Sequence, residues 1–282
     1  VIVVENKKLP TFSVRISIDN PPSIEGDKSG LNSLSGSLFG EGSKNISKEI
    51  FNEEVDYLGA TVSLGMGFAY ANGLSKHNER IFELLEDAAL NPNFLQEELE
   101  KEKNILITGI KSDENSPTAI AERVTSILAY SNEHPYGEYL TEESIKNVNL
   151  KDVENNYKKM FRPNNAYMVV SGDVNIDEIK DLVTDNFSKW KKSKKDLNNE
   201  ILSPKDVPST EINFVDMPDA VQSELRVLNI TSLRTNDEDH HAALVTNYIL
   251  GGAFGSYLNM NLREENGWTY GARSSIARNK WT

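Results

Sequence analysis

Two periodicities alternate along the chain. Val1 to Val4 and Phe12 to Ile18 are short β-branched runs separated by Lys7, Lys8 and Pro10, which predicts a hairpin opening a sheet. Helical spacing follows. Ser47 is placed to cap a segment in which Ile50, Phe51, Val55 and Leu58 recur on one face, and Gly59 stands where a left-handed terminator belongs. Ala60 to Tyr70 reads as a strand. Ile81, Leu84, Leu85 and Ala88 predict an amphipathic helix from Asn78 that ends before Asn91-Pro92, and a charged helix runs from about Phe94 to Lys111. Ser116-Pro117, a cap with proline at the first helical position, starts another that reaches about Tyr130. His134-Pro135-Tyr136-Gly137 is a turn-rich break, after which helices near Lys151 to Met160 and Asp177 to Trp190 bracket a strand at Ala166 to Ser171. Helices and strands mix without strict alternation, so the pattern predicts an α+β fold.

Beyond Trp190 the rhythm stops. Lys189, Lys191, Lys192, Lys194 and Lys195 are followed by Asn198, Asn199, Pro204 and Pro208, the composition of a solvated interdomain linker. The opening pattern then returns, with Val215 to Pro218 and Leu225 to Ile230 echoing Val3 to Pro10 and Val14 to Ile18 as strands. Leu244, Ile249, Leu250 and Gly251 likewise echo Leu31, Leu34, Leu38 and Gly40. The predicted organisation is a first domain over 1–190, a linker over 191–210, and over 211–282 the start of a second, similar domain. A length of 282 residues agrees with more than one domain.

Composition narrows the chemistry more than the fold. The 38% hydrophobic and 26% charged residues exclude disordered and collagenous classes. The net charge of -13 repels phosphate backbones and argues against nucleic acid. No apolar run approaches the roughly eighteen residues of a membrane span. Zero cysteines exclude disulfides, thiolate zinc sites, iron-sulfur clusters and cysteine nucleophiles together.

Metal chemistry is left with four histidines. A hydrolytic zinc site of this kind needs His-x-x-Glu-His or a similar pair, because ligands three or four residues apart converge from one helix face. His77 and His134 are isolated and His240-His241 are adjacent, so none supplies that spacing. Gly40-Glu41-Gly42 and Gly65-Met66-Gly67 lack the context of a dinucleotide loop, and no serine sits in a nucleophile elbow. The segment Leu262 to Gly271 is more informative. Ser256 to Glu265 reads as a helix, Gly267 as its left-handed terminator and Trp268 onward as a strand, which would let Arg263 and Tyr270 approach each other. A guanidinium fork and a phenol are both donors, suited to a peptide carbonyl and the oxyanion formed when water attacks it.

Taken in order, Ser29-Gly30-Leu31, Asn91-Pro92-Asn93-Phe94, His134-Pro135-Tyr136-Gly137, Arg162-Pro163-Asn164-Asn165, Gly172-Asp173-Val174, Leu250-Gly251-Gly252 and Leu262-Arg263-Glu264 through Tyr270 resemble the insulinase, pitrilysin and mitochondrial-processing-peptidase family of zinc peptidases. The resemblance spans nearly the whole chain. It implies two similar α+β domains per chain, each an antiparallel-rich sheet with helices packed on it. Two such chains or halves would close around an extended peptide, and a second domain would continue past Thr282. Where that family has His-x-x-Glu-His, this chain has Ser33-Leu34-Ser35-Gly36-Ser37; Ser33 and Ser37 replace the histidine ligands and Gly36 the glutamate base. The remaining glutamate ligand, seven residues beyond Glu102, falls on Gly109. The resemblance therefore implies no metal in this chain, with zinc in a homologous partner subunit or half. Arg263 and Tyr270 match the family's substrate-contacting pair, and Gly251, Gly252 and Phe254 resemble its glycine-rich substrate loop. The expected role is the non-zinc half of a clamshell peptidase, inactive alone; the alternative is a non-enzymatic scaffold that kept the fold. Bacterial relatives of this kind are commonly periplasmic.

Overall fold

In a computed structural model the described residues are 1–40, 42–194, 197, 203–277 and 280. The chain forms two compact units, Val1–Glu200 with Phe214–Arg226, and Ile201–Asn213 with Val227–Thr282. In chain order the first contains β1 (Ile2–Glu5), β2 (Thr11–Ile18), α1 (Leu31–Ser37), α2 (Lys48–Tyr57), β3 (Thr61–Gly65), β4 (Phe68–Leu74), α3 (Asn78–Leu90), α4 (Gln96–Asp113), α5 (Pro117–Tyr130), α6 (Glu142–Asn147), α7 (Leu150–Met160), β5 (Ala166–Gly172) and α8 (Ile176–Phe187). The class is α+β, as the pattern predicts.

The sheet order is β1-β5-β2-β4-β3. This corrects the expected opening hairpin: β1 does not pair with β2, because β5 lies between them. β1 runs parallel to β5, with Ile2 opposite Val169 and Glu5 opposite Gly172, while β2 runs antiparallel to its other edge, with Phe12 opposite Gly172 and Ile18 opposite Ala166. Central placement gives the buried Val170 ladder partners on both sides, and a run of β-branched residues signals a strand without naming its neighbour. A second correction concerns Ala60 to Tyr70. It is not one strand but the start of a hairpin, broken at Met66-Gly67, where Gly65 and Phe68 face each other across the turn. α6, which sequence periodicity does not announce, is set by a capping box in which Thr141 and Ser144 each bond the other's backbone N–H.

Strict alternation on β2 defines the core. Phe12, Val14, Ile16 and Ile18 are buried while Thr11 and Arg15 face out. Ala69, Ala71 and Gly73 on β4 leave room for α3 to lie close: a Cβ at Gly73 would stand 2.5 Å from the Ile81 side chain. α3 fills that space with Ile81, Phe82, Leu84, Leu85 and Ala88, and the Phe82 ring stacks on Phe12 at 5.9 Å. Each fully buried side chain of this size contributes about 1.5–3 kcal/mol. The opposite sheet face is mixed: Ser13 and Ser171 share a hydroxyl hydrogen bond of 3.1 Å and Arg15 lies over the Phe68 ring at 5.2 Å, while Ile2, Val4 and Tyr167 stand exposed.

Phe39, Phe94, Tyr157, Phe161 and Trp190 close one end of this core as a chain of ring contacts. Burial pushes the Tyr157 phenol well above its ordinary range, and its hydroxyl donates to the Ala89 carbonyl at 2.8 Å. Just beyond Trp190, Asn164 holds Ser193 by two backbone hydrogen bonds of 2.8 and 3.0 Å. Of the linker residues singled out above, Lys195, Asn198 and Asn199 lie outside the described residues.

The strands expected at Val215 to Pro218, Leu225 to Ile230 and from Trp268 do not form. A strand needs a ladder for its backbone groups. Phe12–Ile18 obtains one from β4 and β5, whereas no described strand pairs with any of these three stretches.

Gly172 joins the three strands that meet at β5. Its φ is +129°, its carbonyl accepts from Asn6 N–H at 2.7 Å, and a Cβ there would stand 2.2 Å from the Thr11 carbonyl oxygen. Gly172→Ala is expected to cost about 2–3 kcal/mol from strain at a left-handed, crowded position, read as a lower urea midpoint with unchanged slope. A variant as stable as the parent contradicts this account of the junction.

Candidate functional site

The second unit is built on α9 (His240–Asn247), a π-helical turn over Tyr248–Gly252, a loop, α10 (Tyr257–Asn259) and a second π-helical stretch over Met260–Glu265. The helix predicted over Ser256 to Glu265 is thus present, half of it wound as π. Gly267 ends it with φ +64°, as its position predicts; its N–H donates to the Arg263 carbonyl at 3.0 Å and that of Trp268 to Leu262 at 2.9 Å. The chain then returns past the glycine-rich loop. Ser274 N–H donates to the Gly251 carbonyl at 3.1 Å, and Asn247 Nδ2 donates to the Ser274 carbonyl at 3.2 Å. Gly251 is required for this approach, since a Cβ would lie 2.6 Å from the Ser274 nitrogen; Gly252 packs nearly as closely on the Asn247 carbonyl.

One buried side chain ties the pieces together. Asn259, 4% exposed, donates from Nδ2 to the Phe254 carbonyl at 2.7 Å, and its Oδ1 accepts from Ala272 N–H at 3.3 Å. Sequence reasoning passes over it; the available signal is an amide one helical turn before Arg263 inside a helix, where Asn usually competes with the backbone.

Of the residues singled out from sequence, the structure brings Arg263 to Phe254. The guanidinium lies over the exposed Phe254 ring at 4.8 Å, an arrangement worth about 0.5–1 kcal/mol at such a site. Arg263 Nε also lies 3.5 Å from a Glu264 carboxylate oxygen. Tyr270 is 87% exposed and is in neither hydrogen-bond nor ring contact with Arg263. Its backbone is clasped instead: the Thr269 hydroxyl accepts from Gly271 N–H at 3.2 Å and donates to the Gly271 carbonyl at 3.0 Å.

Ser33, Gly36, Ser37 and Gly109 lie in the first unit. Leu34 and Leu38 on α1 turn inward to join Leu99 of α4, Ile145 and Val153 in a second apolar cluster. Ser33 and Ser37 are therefore exposed on the outer side, and neither Gly36 nor Gly109 has an atom within 4 Å of where a Cβ would stand. These four positions do not fit zinc: two neutral hydroxyls and two glycines offer neither charge nor imidazole. Among the described residues no group of His, Asp and Glu is arranged as a metal cage.

The start of α1 is held by carboxylates. Glu25 accepts from Gly30 N–H at 2.7 Å and Asn32 N–H at 3.1 Å, and Glu138 accepts from Glu25 N–H at 2.9 Å and Gly26 N–H at 2.6 Å. Burial pushes the Glu25 carboxyl above its ordinary value of 4.5; the amides of Asn32 and Gly30 oppose the rise and the neighbouring Glu138 charge adds to it. On the far side, buried Asn156 of α7 donates to Asn32 and Ser35 at 2.9 and 3.0 Å.

Residues 147–280 match the family model described as peptidase M16 inactive domain. Over this stretch the chain is similar to that family. The M16 match begins on α6 and runs through β5 and α8 into the second unit, covering every residue of the Arg263 loop assembly. Over 243 residues the chain is 26% identical to a Bacillus subtilis (strain 168) protein named uncharacterized zinc protease YmxG, covering 84% of this chain and 58% of the relative. Over 280 residues it is 24% identical to a Helicobacter pylori (strain ATCC 700392 / 26695) protein named non-peptidase homolog YmxG, covering 96% of this chain and 63% of that one. The chain thus spans about three-fifths of the length of these relatives. A crystal structure of a peptidase M16 inactive domain from Pseudomonas fluorescens superposes with a TM-score of 0.80 at 22% identity, over 98% of this chain and 68% of the other. The resemblance read from the sequence agrees with these matches, and the fold is that of M16 inactive domains.

Two measurements test this account of α1 and α4. Gly36→Ala and Gly109→Ala are each expected to raise stability by about 0.5–1 kcal/mol, because a helical methyl meets open space; a loss would mean that these glycines are required by packing. For Glu25, a raised folded-state pKa means that the native state holds the proton more tightly than the unfolded chain, so its contribution to stability falls as pH climbs above 4.5. Glu25→Gln keeps an acceptor oxygen and removes the charge. Its stability relative to the parent should therefore be greater at pH 7 than at pH 4.5, and a pH-independent difference would refute the assignment.

Proposed function

We propose that this chain is the non-zinc half of a two-part zinc peptidase, with a homologous partner carrying His-x-x-Glu-His, the metal and the glutamate base. The observation that carries this reading is the built assembly in the second unit. Arg263 is stacked on the glycine-rich loop, Asn259 pins that loop and Asn247 pins the returning chain at Ser274, while the positions where the family resemblance would put zinc ligands hold Ser33, Gly36, Ser37 and Gly109. On this reading the segment 211–282 belongs to a second domain homologous to the first. The partner's metal would activate the attacking water. What this chain contributes is hydrogen-bond donation. The scissile carbonyl of an extended peptide gains negative charge as water adds, and the Arg263 fork and the Tyr270 phenol are donors that can strengthen their hold as that charge develops. Gly251, Gly252 and Phe254 would line the same stretch of substrate, small residues admitting the peptide backbone and Phe254 offering an apolar surface.

A scaffold reading is favoured by two observations, the name non-peptidase homolog carried by the Helicobacter pylori relative and the separation of Tyr270 from Arg263. Kinetics distinguish the two. With the His-x-x-Glu-His homologue, zinc and a fluorogenic extended peptide, adding this chain should switch cleavage on. Arg263→Ala should then lower kcat/KM by about 10²-fold, with Tyr270→Phe lowering it less. A chain that does not raise cleavage, or whose Arg263→Ala variant is as effective as the parent, leaves the scaffold reading.

A further inference from the structure

We infer that Asn259 is the positioning residue of this site, the group through which the glycine-rich loop, Arg263 and the segment bearing Tyr270 are set in one arrangement. The three are brought together by no apolar core of their own: Phe254 is 68% exposed and Tyr270 87%. Asn259 is buried between them and uses both ends of its amide. Nδ2 fixes the loop at the Phe254 carbonyl, and Oδ1 fixes the returning chain at Ala272 N–H, two residues past Tyr270. Its own backbone lies on the helical stretch that carries Arg263 four residues on. The Phe254 ring, anchored through its carbonyl, in turn supports the Arg263 guanidinium at 4.8 Å. An amide is the side chain suited to this place, because it combines a donor and an acceptor on one planar group. Aspartate retains the acceptor and loses the donor; leucine matches the volume and loses both.

The kinetic arm of the test rests on the peptidase-half reading; the structural arm does not. In the full chain, followed by residue-resolved amide hydrogen exchange, Asn259→Leu is expected to speed exchange at Ala272 by tenfold or more. Ser274, held by the Gly251 carbonyl, and Gly267, held by the Arg263 carbonyl, should remain slow. Asn259→Asp should leave Ala272 slow. Asn261→Leu, a change on the exposed side of the same helix, should do nothing at Ala272. Unchanged exchange at Ala272 in Asn259→Leu, or equal acceleration in Asn261→Leu, overturns the inference whether or not the chain supports cleavage. In the reconstituted peptidase, Asn259→Leu should cost as much in kcat/KM as Arg263→Ala and Tyr270→Phe combined. Added to that double variant it should lower kcat no further, because Arg263 and Tyr270 are then already lost and only the loop's hold on the substrate, read in KM, is left for it to disturb. A further fall in kcat on top of the double variant would show a merely structural role and overturn the inference. If Arg263→Ala is itself silent, the peptidase-half reading fails and the exchange measurements alone decide the place of Asn259.

Discussion

The first unit depends on the pleat of β2. It is the middle strand of the sheet, paired on both edges, and its two-residue alternation decides which face is apolar for every strand beside it. Phe12, Val14 and Ile16 commit the inner face; Ala69 and Ala71 of β4 and Met168 and Val170 of β5 follow in register. The choice of small residues on β4 then fixes how near α3 can come, and α3 in turn meets α8. A shift of one residue on β2 would turn Arg15 inward and Val14 outward and leave nothing for the helices to cover.

The second unit is ordered by different means. Where the first uses a sheet and a filled apolar core, the assembly around Arg263 uses a few polar side chains that reach backbone groups, namely Asn247, Asn259 and the Thr269 clasp. Each such bond contributes only about 0.5–1.5 kcal/mol, but leaving a buried amide such as that of Asn259 without partners would cost more. The π-wound turns on either side of the loop fit this economy, since π geometry is uncommon in helices and tends to be kept where function sets the backbone. α1 illustrates the reverse situation. Its inner face is fully used by Leu34 and Leu38 and its start is fixed by Glu25, while its outer face carries only small neutral residues. The helix packs fully on its inner side and offers no charged or imidazole group on its outer one.

Periodicity and caps made most of the first unit legible. Ser47, Ser116, Gly59 and the Ile81–Ala88 face stand where their spacing places them, because each rests on local geometry that the neighbouring residues determine. Strand adjacency was hidden: nothing near Val3 announces Val170 as its partner, since that pairing is decided by burial across the whole sheet. The Met66-Gly67 turn is visible in its glycines, yet the apolar pattern runs through it as strand. In the candidate site, the terminator Gly267 and the closeness of Gly251 to another backbone follow from residue type. The contact between Arg263 and Phe254 does not, because it depends on how a π-wound helix turns its side chains, and Asn259 carries no motif. The strands foreseen beyond the linker show the limit of pattern alone, since alternation at Leu225 to Ile230 describes a face that needs a neighbouring strand to exist.

The placement of β5 also sets an order in time. β2, β4 and β3 can zip together once residue 74 has emerged, since the Met66-Gly67 turn joins β3 to β4 and only α1 and α2 lie between them and β2. The other edge of β2 then stays open through the synthesis of five helices, α3 to α7, until Ala166–Gly172 arrives. β1, earlier in sequence than any of its fellow strands, has its partner on β5 and waits equally long. On the ribosome this chain therefore carries a half-built sheet with a bare, β-branched edge, the state most open to pairing with a neighbouring copy or to capture by a chaperone.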